Sequence, residues 1–273
     1  MRRRIAYASI ALILITLFAM RECALWPDSH THLLFLSVGQ GDSTLIKTVH
    51  GKKILIDGGP DWSTLEALGR QLPFFDRSID LLILSHANLD HLASFPEILE
   101  RYHVAVIAVS DIAVDTPWFL RITDTARKVG TTILPLHAGQ AVTLDDTLIA
   151  SVLWPPKKLP LTYAKELNNT SLVLKISDGE HAALFTGDME ERVESTLVLA
   201  KAAIKADILK VPHHGSKTSS STGFLLAVGP STAIISVGQN SYGHPNPGVL
   251  QRYKALGIET RRTDNEGDIE VVW

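Results

Sequence analysis

Several features that would commit this chain to a specialised class are missing. A single cysteine, Cys23, stands among 273 residues. That excludes an intrachain disulfide and a zinc knot built on cysteines. Net charge is only −3, so the whole chain carries no basic footprint for nucleic acid, and any basic groove would have to be local. There is no internal repeat and no low-complexity tract. What remains is an ordinary globular composition, long enough for one layered domain of roughly 230 to 250 residues.

The N-terminus departs from that average. Arg2, Arg3 and Arg4 precede an apolar run from Ile5 to Met20, closed by Arg21 and Glu22. A positive cluster before a run of about 16 apolar residues lies between a signal peptide and a short membrane span. No small-residue cleavage site follows, so residues 1–26 are expected to form an uncleaved signal anchor, with a secreted protein as the outcome if they are cleaved. The positive-inside rule then places the arginines in the cytoplasm and everything after Trp26 outside the cytoplasmic membrane, a single pass. Residues 27–32 form a linker, and the core motifs start at Leu33.

From there short apolar runs alternate with glycine turns and amphipathic stretches. Leu33–Val38, Thr44–Thr48 and Lys53–Ile56 predict a strand meander. Ser63-Thr-Leu-Glu66 predicts a capping box opening a helix to about Leu72. Strands at Leu81–Leu84 and Val104–Val109 and helices at Pro96–Tyr102 and Pro117–Val129 follow. The second half continues with strands at Thr147–Leu153, Ser171–Ile176, Ala182–Phe185, Ile208–Val211 and Ala233–Ser236. Helices are expected from Glu190 to Ala200 and Pro247 to Leu256. Interleaved strands and helices without a boundary predict two sheets covered outside by helices, a layered α+β or α/β architecture.

The most informative stretch is Leu84-Ser-His-Ala-Asn-Leu-Asp-His91. A buried strand runs into a loop carrying His86, Asn88, Asp90 and His91, and imidazole with carboxylate suits zinc, or manganese where oxygen donors dominate. Three further strands end in polar loops: Thr186-Gly-Asp188, Pro212-His-His-Gly-Ser216 and Ser236-Val-Gly238, the last leading to Tyr242-Gly-His-Pro245. Neighbouring strands ending on one side deliver such residues to one rim. The chain is a candidate metal-dependent hydrolase, in which a cation lowers the pKa of water and stabilises a leaving oxygen.

In this order the motifs Leu36-Ser-Val-Gly-Gln-Gly-Asp42, Ile56-Asp-Gly-Gly59, His86-Ala-Asn-Leu-Asp-His91, Asn169-Thr-Ser171, Thr186-Gly-Asp188, His213-His-Gly-Ser216 and Tyr242-Gly-His-Pro245 resemble one family. It is the metallo-β-lactamase-fold domain of the ComEC competence family, here without its many-helix channel, and the resemblance covers about Leu33 to Trp273. It implies a four-layer αββα sandwich over 33–273 and a nuclease or phosphodiesterase acting on DNA outside the membrane, beside competence-channel proteins.

Carried over residue by residue, the resemblance gives one ion to His86, Asn88 and Asp188, with Asn169 and Ser171 matching a segment that replaces a third histidine. A second ion falls to Asp90, His91, Asp188 and His213. Asn88 is the departure, since a neutral amide is a poor ligand. One tight and one weak Zn2+ or Mn2+ are therefore expected. Asp90 is the candidate base, Asp188 bridges, and His244 either faces the leaving group or merely shapes a turn. Asp42 and Asp57 either orient ligands or form turns. His214, Ser216 and Lys217, with Lys210 and Ser219, flank the rim and are candidates for phosphate contact. Trp62, Trp118, Trp154 and Tyr163 either stack on bases or pack. The competing functions are a non-catalytic nucleic-acid- or partner-binding descendant and a hydrolase of small esters or lactams.

Overall fold

A computed structural model describes residues 2–112 and 116–273. Met1, at the head of the 1–26 segment, lies outside the described residues, as do the side chains of Arg2, Arg3, Ile5 and Ala8 within it. Two seven-stranded sheets stack face to face. The first takes β1 (His32–Phe35), β2 (Thr44–Lys47), β3 (Lys53–Ile56), β4 (Ser78–Ile83), β5 (His103–Ser110), β6 (Thr132–Leu136) and β14 (Ile269–Val272). The second takes β7 (Ala141–Thr143), β8 (Ile149–Trp154), β9 (Val173–Ser177), β10 (Ala182–Phe185), β11 (Ile208–Lys210), β12 (Thr232–Ile235) and β13 (Glu259–Arg262). The spatial orders are 14-1-2-3-4-5-6 and 13-12-11-10-9-8-7. Each sheet pairs antiparallel along β14-β1-β2-β3 or β7-β8-β9-β10, then parallel to the other edge.

Period-two patterning puts one row of each strand inside and the other under helices. Ile54, Ile56, Leu81 and Ile83 join Leu174, Phe185 and Ile234 between the sheets, where the Phe35 and Phe185 rings stack at 5.9 Å. Leu55, Leu82 and Leu84 face out, beneath α2 (Ser63–Gln71), α4 (Phe95–Arg101) and α5 (Pro117–Val129). On the other side Leu184, Leu209 and Ile235 lie beneath α7 (Glu191–Leu199), α8 (Thr222–Val228) and α9 (Pro247–Ala255). The layers run αββα, as the sequence predicts. Burial on both faces explains why the Leu81–Ile83 end of β4 and the whole of β10 read as unbroken apolar runs.

The capping box does not form. Trp62 is the cap residue without a side-chain bond. The Ser63 hydroxyl donates instead to the Val38 carbonyl at 3.1 Å, tying α2 to the loop after β1. The Trp154–Leu167 loop carries a short helix, α6 (Leu161–Ala164). Helix α1 (Arg2–Ala24) precedes the sandwich and exposes Leu12, Ile13, Leu14 and Leu17. Among the described residues no helix is long and apolar enough to cross a membrane.

Candidate metal centre

Four strand ends build the site. After β3 the chain turns at Asp57, a non-glycine residue at φ 60°. Its carboxylate accepts the Ser85 N–H at 2.8 Å and meets His91 Nδ1 at 2.9 Å. After β4 come Ser85 and His86, then α3 (Leu89–Leu92) carrying Asp90 and His91. After β10, Gly187 lets the chain pass Ser171, where a Cβ would stand 2.8 Å from the serine Cβ. Asp188 follows, its N–H bonded to Ser171 Oγ at 3.1 Å. After β11, His213 and His214 both adopt left-handed backbone, φ 50° and 52°. Such residues cost of order 1–3 kcal/mol each and persist only where the surroundings hold them.

That turn decides which histidine points inward. Asp90, His91, Asp188 and His214 bring ligand atoms within 4.8 Å of one another. His91 Nε2 lies 3.3 Å from Asp188 and 4.0 Å from Asp90; His214 Nε2 lies 3.3 Å from Asp90 and 3.4 Å from Asp188. His213, assigned to this ion from the resemblance, is outside the group. It is part-exposed, with Nε2 3.9 Å from Asp188 and Nδ1 3.6 Å from Glu190. His214, read as a rim residue, takes the inward place because two successive left-handed residues swing neighbouring side chains apart.

The donor set fits a divalent cation. The Nε2 atoms of His86, His91 and His214 and Oδ1 of Asp188 are buried without hydrogen-bond partners, a costly arrangement unless something else satisfies them. Donors about 2.1 Å from a tetrahedral centre stand roughly 3.4 Å apart, close to the separations found here. Each imidazole is held from behind through Nδ1: His91 by Asp57, His214 by the Ser236 carbonyl at 2.9 Å, His86 by Ser85 Oγ at 3.0 Å. Such partners fix the tautomer that leaves Nε2 free to ligate.

Charge is arranged to match. Burial opposes the Asp188 carboxylate, but His214 and His91 outweigh it and hold its pKa well below the ordinary range. Burial likewise opposes the charged forms of His91 and His214. Asp188, with Asp57 at His91 and Asp42 at His214, lifts both pKa values well above the usual imidazole value. His86 is lowered to about 3, by burial and by repulsion from His91, whose ring centroid is 4.2 Å away. Burial pushes Asp57 up despite His91.

Protons and a cation compete for His91 and His214, whose pKa values are raised by the surrounding carboxylates. Protons compete most where both rings are charged, so affinity should rise with pH through neutrality and fall below it. Titration calorimetry in buffers of different ionisation enthalpy should read net proton release on binding. Affinity independent of pH would contradict this arrangement.

Lys210 corrects another expectation. It is buried, not at the rim; it pairs with Asp42 and donates to the Val211 carbonyl at 3.1 Å. Asp42 also approaches His214 Nδ1 at 3.3 Å and His91 Nδ1 at 3.8 Å. Its carboxyl, opposed by burial but held by Lys210 and His214, stays below the ordinary range. Asp42 and Asp57 both reach the Nδ1 side of the candidate ligand imidazoles. Lys210→Met should strand a buried carboxylate and cost about 3–5 kcal/mol, read by urea unfolding.

The remaining assignments divide. Asn88 donates to Asn168 Oδ1 at 2.6 Å, and Asn168 Nδ2 lies 3.4 Å from His213 Nε2. Asn168 was not foreseen, and only its place beside Asn169 signals it. Asn169 turns away, bonding Glu166, the Glu190 N–H and Trp154. Ser171 holds the Asp188 backbone and donates to the Asn168 carbonyl. Ser216 bonds Thr218, and Ser219 bonds the Pro212 and Ser216 carbonyls, so both hydroxyls serve the loop. Lys217 is exposed. Trp154 packs in the core; Trp62 and Tyr163 lie under Arg101 and Arg192, and Trp118 near Arg121. His244 stands 5.4 Å from His213, its pKa lowered by burial and by His213 and His214. A groove of about 580 Å³ opens over Asp90, Asp188, His213, His214 and His244.

The profile of the metallo-beta-lactamase superfamily matches residues 36–239. The chain belongs to that superfamily. Within it, this metallo-β-lactamase domain is 33 % identical over 253 residues to ComE operon protein 3 of Bacillus subtilis, covering 86 % of this chain and 32 % of that protein. It is 29 % identical over 263 residues to competence protein ComA of Neisseria gonorrhoeae, covering 95 % and 35 %. It thus spans about a third of the length of these curated relatives. The solved metallo-beta-lactamase fold protein YhfI of Bacillus subtilis matches with TM-score 0.62 at 13 % identity, covering 89 % of this chain and 100 % of that one, a likeness of fold alone.

Proposed function

We propose that this chain is a metal-dependent phosphodiesterase, a nuclease acting on DNA outside the cytoplasmic membrane in the setting of DNA uptake. The observation that carries it is the convergence of unpartnered donors from His91, His214 and Asp188, with Asp90 beside them, at the floor of an open groove. Zn2+ or Mn2+ held there would supply Lewis acidity toward water and a phosphoryl oxygen. Asp90, on the groove, would serve as ligand or would take a proton from water; His244 stands beside His213 on the same groove, where a leaving oxygen could receive one. A second ion on His86 and Asn88 is expected to be weak, because the only ligand atom Asn88 offers is a neutral amide oxygen. Loss of that ion would favour the alternative of a binding descendant that has lost turnover.

The similarity to competence proteins supports the DNA-uptake setting and proximity to channel proteins. The exposed apolar residues of α1 support attachment to the membrane. Helix α1 leads into the start of β1, whereas Asp42, beyond the end of β1, reaches the metal centre, so an anchored domain would present its groove away from the bilayer. Protease added outside spheroplasts should remove the domain; a protected, freely soluble domain would refute that topology.

Degradation of linear DNA in Mn2+ or Zn2+, compared with a chromogenic ester, tests the reaction. Cleavage abolished by chelator and restored by the ion supports the phosphodiesterase. Ester turnover without DNA cleavage would move the assignment to small-molecule hydrolysis, and bound DNA without turnover to the binding module.

A further inference from the structure

The groove above the metal centre has an unusual lining for a site meant to hold a polyanion. Among the described residues no lysine or arginine lines it; apart from its aspartate and histidine side chains it is walled mainly by amides, with Pro60, Leu89, Ser241 and Tyr242. Tyr242 is 74 % exposed and Leu89 48 %.

The Tyr242 ring is presented from a fixed loop. Asn240 Oδ1 accepts the N–H groups of Tyr242 and His244 at 3.1 and 3.0 Å. Its Nδ2 donates to the carbonyls of Gly238 and His244 at 2.9 and 2.8 Å. One side chain thus closes the whole 238–244 turn. Gly243, at φ 77°, supplies the left-handed residue that brings His244 back beneath Tyr242. The Tyr242 and His244 rings are 5.8 Å apart and inclined at 33°, and His244 is 5.4 Å from His213. A ledge of rings therefore descends from solvent to the metal centre.

Resting on the phosphodiesterase reading, we propose that Tyr242 is the stacking platform for a base next to the phosphate held at the metal centre, so that the substrate enters as an unpaired strand. Stacking needs an exposed base face, which a paired strand keeps covered within the duplex. Every base has such a face, so the platform tolerates any sequence. With no lysine or arginine in the lining, the groove draws its affinity from the ring and the cation. Binding should therefore depend only shallowly on salt, unlike a groove that displaces many counterions.

The test is a thermodynamic cycle on the full chain supplemented with Mn2+. Fluorescence anisotropy would follow a single-stranded oligothymidylate with phosphorothioate linkages, which resist cleavage, and the same backbone carrying abasic residues. The wild type should bind the base-bearing strand about tenfold more tightly. Tyr242→Ala should erase that difference, and Tyr242→Phe, which keeps the ring, should restore it. Equal binding of both strands by the wild type, or an undiminished difference in Tyr242→Ala, would overturn the platform. A base-dependent difference in a protein that cleaves no ordinary phosphodiester would leave the platform standing and refute the phosphodiesterase.

Discussion

His214→Ala is expected to strip the tightly held ion and lower phosphodiester turnover by roughly a thousandfold or more, as loss of one member of a catalytic unit does. His214 offers a buried Nε2 without a hydrogen-bond partner, 3.3 Å from Asp90 and 3.4 Å from Asp188. His213→Ala should keep the ion, because His213 lies outside the convergent group and faces Glu190 and Asn168. Asp188→Ala should match His214→Ala, and the double variant should be little worse than either, since ligands of one ion act together. Metal content and turnover measured on all four proteins check this. An ion lost from His213→Ala but retained in His214→Ala would reverse the roles of the pair.

The second large effect is expected at Gly41. A Cβ there would stand 2.3 Å from the Asp90 carbonyl oxygen and 2.9 Å from Pro60 Cδ. The neighbouring Asp42 N–H bonds that same carbonyl at 3.1 Å, so the loop after β1 cannot retreat without pulling on the backbone that carries Asp90. Gly41→Ala should cost about 1–3 kcal/mol of stability by overpacking. It should also weaken the ion some 10- to 100-fold by disturbing the groups behind the ligands. Thermal unfolding and metal titration read the two separately. Normal stability with normal affinity would mean that the two loops are not coupled as their contact implies.

The layers were legible because burial leaves a periodic mark. β3 and β4 carry apolar residues in both rows, and β10 and β11 read the same way. The helix expected from Pro247 forms as α9, and the structure adds its cap, Asn246, which accepts the Gly248 N–H. β7 escaped notice, since Ala141-Val-Thr143 is too short and mild to stand out from its loop. The Ser63–Glu66 pattern misled because the serine hydroxyl is claimed by Val38, a contact across 25 residues that no local pattern encodes.

At the site, the ligand loops were visible but their inward directions were not. Adjacent histidines look alike in sequence, and only the paired left-handed conformations at 213 and 214 separate the buried ring from the outer one. Lys210 read as a surface cation because nothing nearby in the chain reveals Asp42 as its partner, 168 residues earlier. Asn88 stood out as an odd residue at a ligand position, but its hold on Asn168 depends on an excursion of the 161–171 loop.

The most direct measurement is a titration of the chelator-treated chain with Mn2+ or Zn2+ while hydrolysis of single-stranded DNA and bound metal are followed together. Activity should be absent without ion and rise in step with the first equivalent, reaching most of its maximum near about one ion per chain. Undiminished cleavage in the metal-free chain, or a first ion that binds tightly and leaves hydrolysis at zero, would contradict a metal-dependent phosphodiesterase centred on Asp90, His91, Asp188 and His214.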